Sequence, residues 1–296
     1  MKKRNKIIII SILIILLIAL FFKINILKNY KSNKNNTSIY KIEGINNKYT
    51  PQSISYSEKY NVILQTSYNN NNKASKIYII NFNTGELIKE LELLKENNTI
   101  NNTHVGGIAT DNNKVWITSD YEINEYNLEE IINTNNTSIK AISTKKLKNR
   151  GDTCTYNNGI LWIADFYLYP IYKVPNNKPL LLGYKVTDNI DYNNYNYSVM
   201  LPKMVQGVAI KDNKIIISQS YTYLVNSKLR IYEFNINDNT NNYKLDKNNL
   251  IKTITIPPMA EGIFYKDNKI YVLFESSSKK YFGAYPKINN LLEYTI

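Results

Sequence analysis

From Gln52 onward the chain repeats one pattern five times. Each copy has a polar residue, a small residue, an alternating apolar strand, a tight polar turn and a second apolar strand. The copies open at Gln52, Gly106, Asp152, Gln206 and Glu261, so the period runs from 46 to 55 residues. The spacing inside each copy is tight. Ile108 to Trp116, Cys154 to Trp162, Val208 to Ile216 and Ile263 to Tyr271 are each eight residues apart. A unit of this length cannot bury its own apolar face, and stacking against further copies is what gives it a core.

The turns inside the copies are Asp111-Asn112-Asn113, Asn157-Asn158-Gly159, Asp212-Asn213 and Asp267-Asn268. Asn, Asp and Gly tolerate the positive φ that hairpin turns between twisted strands require. The chain holds 47 Asn and only 10 Gly, so Asn carries much of this turn chemistry. A third strand follows each hairpin and often a fourth, as in Lys76–Phe82 with Leu87–Leu94 and Lys228–Phe234 with Leu250–Ile256. Four antiparallel strands at a period near 50 make a propeller blade. The expected fold is therefore an all-β propeller of five blades. A sixth blade would need more chain than residues 37–50 and the C-terminal tail supply, and a β-sandwich has no reason to repeat one motif five times. Ser38–Ile42 is expected to close the ring beside Leu291–Ile296. The Asn-rich runs at 69–72, 188–197 and 235–249 are expected in blade loops.

The N-terminus reads as a membrane address. Residues 1–6 carry four cations and no acid, and Ile7–Phe22 is apolar except for Ser11. With Lys23 reaching toward the interface, Ile7–Leu27 is 21 residues and about 31 Å of helix, enough for a ~30 Å hydrocarbon core. No small-x-small cleavage site follows, and Cys154 is too distant for lipidation, so an uncleaved anchor is expected. The expected organisation is residues 1–6 cytoplasmic, 7–27 spanning, 28–36 a polar tether and 37–296 an extracytoplasmic propeller. Without the six cations of the first 28 residues the net charge falls from +13 to +7. A mildly basic domain suits an anionic membrane surface. No cluster of basic and aromatic residues points to nucleic acid.

Several chemistries are excluded by composition. One cysteine and one histidine leave no disulfide framework, no CxxC zinc site and no HExxH motif. GxSxG, GxxxxGK[ST] and GxGxxG are also absent. Cys154 aligns with Ile108, Val208 and Ile263 and is read as a buried strand residue. Trp116 and Trp162 occupy equivalent strand positions and are read as packing between blades.

The blade pattern, with Gly-Ile or Gly-Val after a polar residue and Val-Trp, Leu-Trp or Ile-Tyr in the second strand, resembles the SMP-30/gluconolactonase/YncE-like propellers over Gln52–Ile296. The resemblance implies the fold. Its lactonase branch uses a divalent metal held by Glu, Asn and Asp near the channel. Glu261-Gly262 is similar to a Glu-Gly metal motif, but it stands in the last repeat rather than the first, and no match for the other ligands is present.

The start of each first strand and the end of each second strand meet on one face of a propeller. That face collects Gln52, His104, Arg150, Asp152, Gln206 and Glu261 from strand starts. It collects Asp120, Tyr121, Asp165, Gln219, Tyr221 and Glu275 from strand ends, with Tyr68 and Tyr167 at matching positions. The opposite face receives only Lys-Asp-Asn hairpin tips. A concave mouth with a few oriented polar groups is a binding site for a glycan, a peptide or a protein partner. The alternative is a hydrolase, lactonase or lyase in which Glu261 and Asp152 hold Ca²⁺ or another divalent cation. Each residue also has a plainer role open to it. His104 can cap a loop, the acids can bond backbone amides at blade junctions, and the tyrosines can pack the rim.

Overall fold

In the computed structural model, which describes residues 2–69, 71–235 and 241–296, the five repeats fold into five blades around a central channel. The innermost strands are Tyr49–Ser57, Gly107–Thr110, Thr153–Asn157, Val205–Lys211 and Ala260–Lys266. Each pairs antiparallel with a second strand: Val62–Asn69, Lys114–Ser119, Ile160–Ala164, Lys214–Gln219 and Lys269–Phe274. The hairpin tips take the backbone that the sequence implies. Asn61, Asn112, Asn158, Asp212, Asp267 and Asn268 all have positive φ.

Thr37–Lys41 closes the ring as the outer strand of the fifth blade, antiparallel to Asn290–Thr295. The Ser38 hydroxyl donates to the Leu291 carbonyl at 2.9 Å, and Asn290 Nδ2 donates to the Ser38 carbonyl at 3.0 Å. Two further strands were not legible in the sequence. Ser138–Lys140, from the second blade's outer connection, runs parallel to Leu87–Leu94 of the first blade. Asn241–Lys244, inside the Asn-rich run 235–249, runs parallel to Tyr197–Met200 of the third blade. Residues 236–240 of that run lie outside the described residues.

Blade packing supplies the core. Trp116, Trp162 and Cys154 are all buried, between blades or against neighbouring strands. Trp116 stacks on Tyr156 of the next blade with ring centroids 5.8 Å apart. Gly262 explains the glycine of the repeat. A Cβ there would stand 2.6 Å from the Ser53 Cα of the adjoining inner strand, so only glycine lets the strands converge on the axis.

One helix, Lys2–Asn33, precedes the propeller and is long and apolar enough to cross a membrane. Residues 28–33 of the expected tether continue this helix, and Lys34–Asn36 form a 3₁₀ turn. The lower part of the helix is docked. Ile26 and Asn33 are buried, and Asn29 Nδ2 donates to the Thr255 carbonyl at 3.0 Å.

Candidate functional site at the channel mouth

A left-handed residue opens every inner strand: Lys48, Val105, Gly151, Met204 and Met259. For Val105 this conformation is costly. The turned backbone ties entry loops to exit loops. The Ser220 amide donates to the Met204 carbonyl at 3.0 Å, and the Glu275 amide donates to the Met259 carbonyl at 3.1 Å. Beside these turns the strand register slips between Pro51 and Ser53, Val205 and Gly207, and Ala260 and Ile263. A bulge re-aims the residue inside it. Here it turns Gln52, Gln206 and Glu261 into the channel.

The result is a cavity of about 540 Å³. Nine of the twelve expected residues line it: Gln52, His104, Asp120, Arg150, Asp152, Gln206, Tyr221, Glu261 and Glu275. Three do not. Tyr121 is exposed on the rim. Asp165 is buried and accepts the Gly151 amide at 2.9 Å, which makes it a junction bond between loops. Gln219 turns away to donate to the Lys203 carbonyl at 2.7 Å.

Glu261 and Glu275 form the floor. Both are buried, and their carboxyls lie in hydrogen-bonding contact. Burial, followed by the neighbouring Glu275 charge, pushes Glu261 well above the usual carboxylate range. Burial also raises Glu275, to about 7, against the pull of Tyr281, Lys280 and Gln52. Two carboxylates side by side cannot both ionise cheaply, so the pair holds a shared proton near neutral pH. Gln206 Nε2 donates to Glu261 Oε1, and Gln52 Nε2 to Glu275 Oε2, each at 3.3 Å.

The wall opposite is a second polar group. Arg150 Nη2 meets Asp152 Oδ1 at 2.8 Å, while Asp152 Oδ2 accepts the Phe166 amide at 2.9 Å. Burial raises Asp152 to about 6, with Arg150 and that amide opposing. His104 lines the cavity and remains solvent-exposed; desolvation by the surrounding protein, with Lys280 nearby, lowers its pKa to about 4, so it is neutral at pH 7. His104 packs on Tyr68 with ring centroids 4.4 Å apart, and the Lys280 ammonium donates to the Tyr68 hydroxyl.

Phe166 and Ser220, at the strand ends beside Asp165 and Gln219, also line the cavity, and sequence reasoning missed Lys280, Tyr281, Tyr172, Thr222, Tyr223 and Met259. Most sit in the long exit loops 165–179, 220–226 and 275–289, which lie outside the repeat and so carried no alignment signal. Among the described residues no three His, Cys, Asp or Glu side chains converge on a possible metal position. Asp152 is bound to Arg150 and Glu261 to Glu275, so the two acids expected to share a cation have other partners.

No protein-family model matches the chain, and no curated protein matches it. Solved structures do. Glutaminyl cyclase of Myxococcus xanthus superposes with a TM-score of 0.53 at 9% identity, covering 84% of this chain and 92% of that one. The Dos1 propeller aligns at 0.35 and 10% identity, covering 84% and 59%, and BamB of Moraxella catarrhalis at 0.33 and 11%, covering 75% and 69%. The likeness to the Myxococcus xanthus structure, at 9% identity, shows the fold alone. It does not place the chain in the SMP-30/gluconolactonase/YncE-like group.

Proposed function

We propose that the chain is a single-pass membrane protein whose propeller stands outside the membrane and whose mouth cavity takes an amine-bearing group, such as a peptide N-terminus, for acid–base catalysis. The observation that carries this reading is the Glu261–Glu275 pair on the cavity floor. A carboxyl whose pKa is near 7 both takes and returns a proton at neutral pH. The cavity volume suits a ligand of one or two residues. Phe166, Tyr172, Tyr221 and Tyr223 offer faces for an ammonium or an apolar side chain. The positive residues 1–6 favour a cytoplasmic N-terminus.

The first substrate class to test is a peptide that begins with glutamine, since the Myxococcus xanthus neighbour is a glutaminyl cyclase on the same fold. In such a cyclisation the α-amine attacks the side-chain carboxamide carbon. A ring C–N bond forms, the bond to the amide nitrogen breaks, and ammonia leaves. The carboxyl pair takes the proton from the amine and returns it to the departing nitrogen, so the enzyme ends unchanged.

Full-length protein in nanodiscs is incubated with glutamine-initiated peptides, and ammonia is measured. Release that Glu275→Gln abolishes supports the proposal. No release, together with no peptide-induced shift of the single His104 ring signal, overturns it.

A further inference from the structure

We infer that the mouth of the propeller lies against the membrane that holds the N-terminal helix, with its apolar rim in the lipid interface. This rests on the reading of that helix as a membrane span.

The path of the helix is the first argument. Asn36 stands beside Tyr294. Tyr294 pairs with Ile270 near the Asp267–Asn268 hairpin tip, on the face opposite the mouth. Seven residues earlier, Asn29 bonds the Thr255 carbonyl. Thr255 pairs with Lys228, and Lys228 with Gln219, the last residue of a second strand, at the mouth. Followed toward its N-terminus, the helix therefore climbs the propeller's side and leaves on the mouth side. Its apolar run ends at Leu27, and Ile26 is already buried against the domain. No spacer separates membrane from propeller. Headgroups extend roughly 5–7 Å beyond the hydrocarbon on each side, and the two helical residues from Leu27 to Asn29, which is level with the mouth, rise about 3 Å. The mouth therefore falls within the headgroup layer.

The rim is the second argument. Ile171, Leu224, Val225, Phe282 and Tyr285 are exposed, Phe282 by 97%. All five lie in the exit loops of the third, fourth and fifth blades, and the helix docks on the fourth while the 3₁₀ turn after it touches the fifth. An exposed apolar group of this kind marks an interaction surface. Charge is the third argument. Exposed charges in the mouth connections are mainly Lys48, Lys148, Lys173, Lys178, Lys203 and Lys279. On the opposite face acids and lysines are mixed: Lys266 lies 3.2 Å from Glu58 and 3.5 Å from Asp267, and Lys211 lies 3.4 Å from Asp212. Apolar side chains among lysines suit an anionic bilayer surface.

The test labels single cysteines with a nitroxide in full-length protein carrying Cys154→Ala, in vesicles of phosphatidylcholine and phosphatidylglycerol. The variants are Ile15→Cys in the span, Phe282→Cys and Leu224→Cys on the rim, and Asn213→Cys on the opposite face. We expect the first three labels to collide more with dioxygen than with a water-soluble nickel chelate, and the fourth to show the reverse. Rim labels that match the Asn213→Cys label, or that are shielded from both colliders as under a protein partner, overturn the inference while Ile15→Cys still reports lipid. A water-exposed label at Ile15→Cys instead removes the anchor reading, and this inference with it.

Discussion

Glu261 and Glu275 each lie one residue beyond the antiparallel pair Ala260–Phe274, so a single hairpin brings two carboxyls together at the channel floor. The bulge after Ala260 turns Glu261 inward, and the chain leaving Phe274 delivers Glu275. Both stay buried, and that burial raises both carboxyls above the usual carboxylate range.

The pair sets a pH dependence of stability. Glu275 has a folded pKa of about 7 against 4.5 when free. Between those values the folded state binds more protons than the unfolded state, so stability falls as pH rises through that window. His104 works oppositely below pH 6.5, because its folded pKa is depressed. The Glu275 contribution is therefore read as a difference. Relative to Glu275→Gln, the native protein should lose on the order of 2 to 3 kcal/mol between pH 4.5 and 7. Urea melts across that range measure it, and a constant difference would refute the shared proton.

The two cavity acids should respond differently to neutralisation. Glu261→Gln removes like-charge repulsion and should leave stability unchanged or raised by about 1 kcal/mol. Asp152→Asn weakens the bond to Arg150 and the hold on the Phe166 amide, and should cost about 1–3 kcal/mol. Denaturation of the two variants side by side checks the order. Equal losses would make Glu261 a structural bond as well.

His104 is the sole histidine, so its ring resonances need no assignment. An NMR titration should give a midpoint near 4. A midpoint near 6.5 would mean that neither desolvation in the cavity nor the Lys280 charge acts on the ring.

Cys154 and Gly262 test the packing of the inner strands. Burial raises the Cys154 thiol to about 12, so a thiol reagent should label it only as fast as the protein unfolds. Cys154→Ala should cost about 1 kcal/mol. Gly262→Ala drives a methyl group into the Ser53 backbone and should cost about 3 kcal/mol or more. A fully stable Gly262→Ala protein would contradict the close approach at the axis.

Sequence alone determined the blade count, the strand order within blades, the ring closure by Ser38–Ile42 and the face that carries the polar mouth. Each of these depends on local periodicity and turn chemistry, and a five-fold repeat multiplies a weak local signal. It also placed Gln52, Gln206 and Glu261 together, because the repeat aligns them. Tertiary structure alone decided which polar groups face the cavity. Asp165 and Gln219 lie at aligned positions yet bond the backbone of neighbouring loops, a choice set by distances between segments far apart in the chain. Lys280 and Tyr281 reach the floor from the exit loop 275–289, which lies outside the repeat and carries no alignment signal. The direction in which the helix leaves the domain was equally hidden. It depends on contacts such as that between Asn29 and Thr255, separated by 226 residues, and hydropathy carries no information about such a pair.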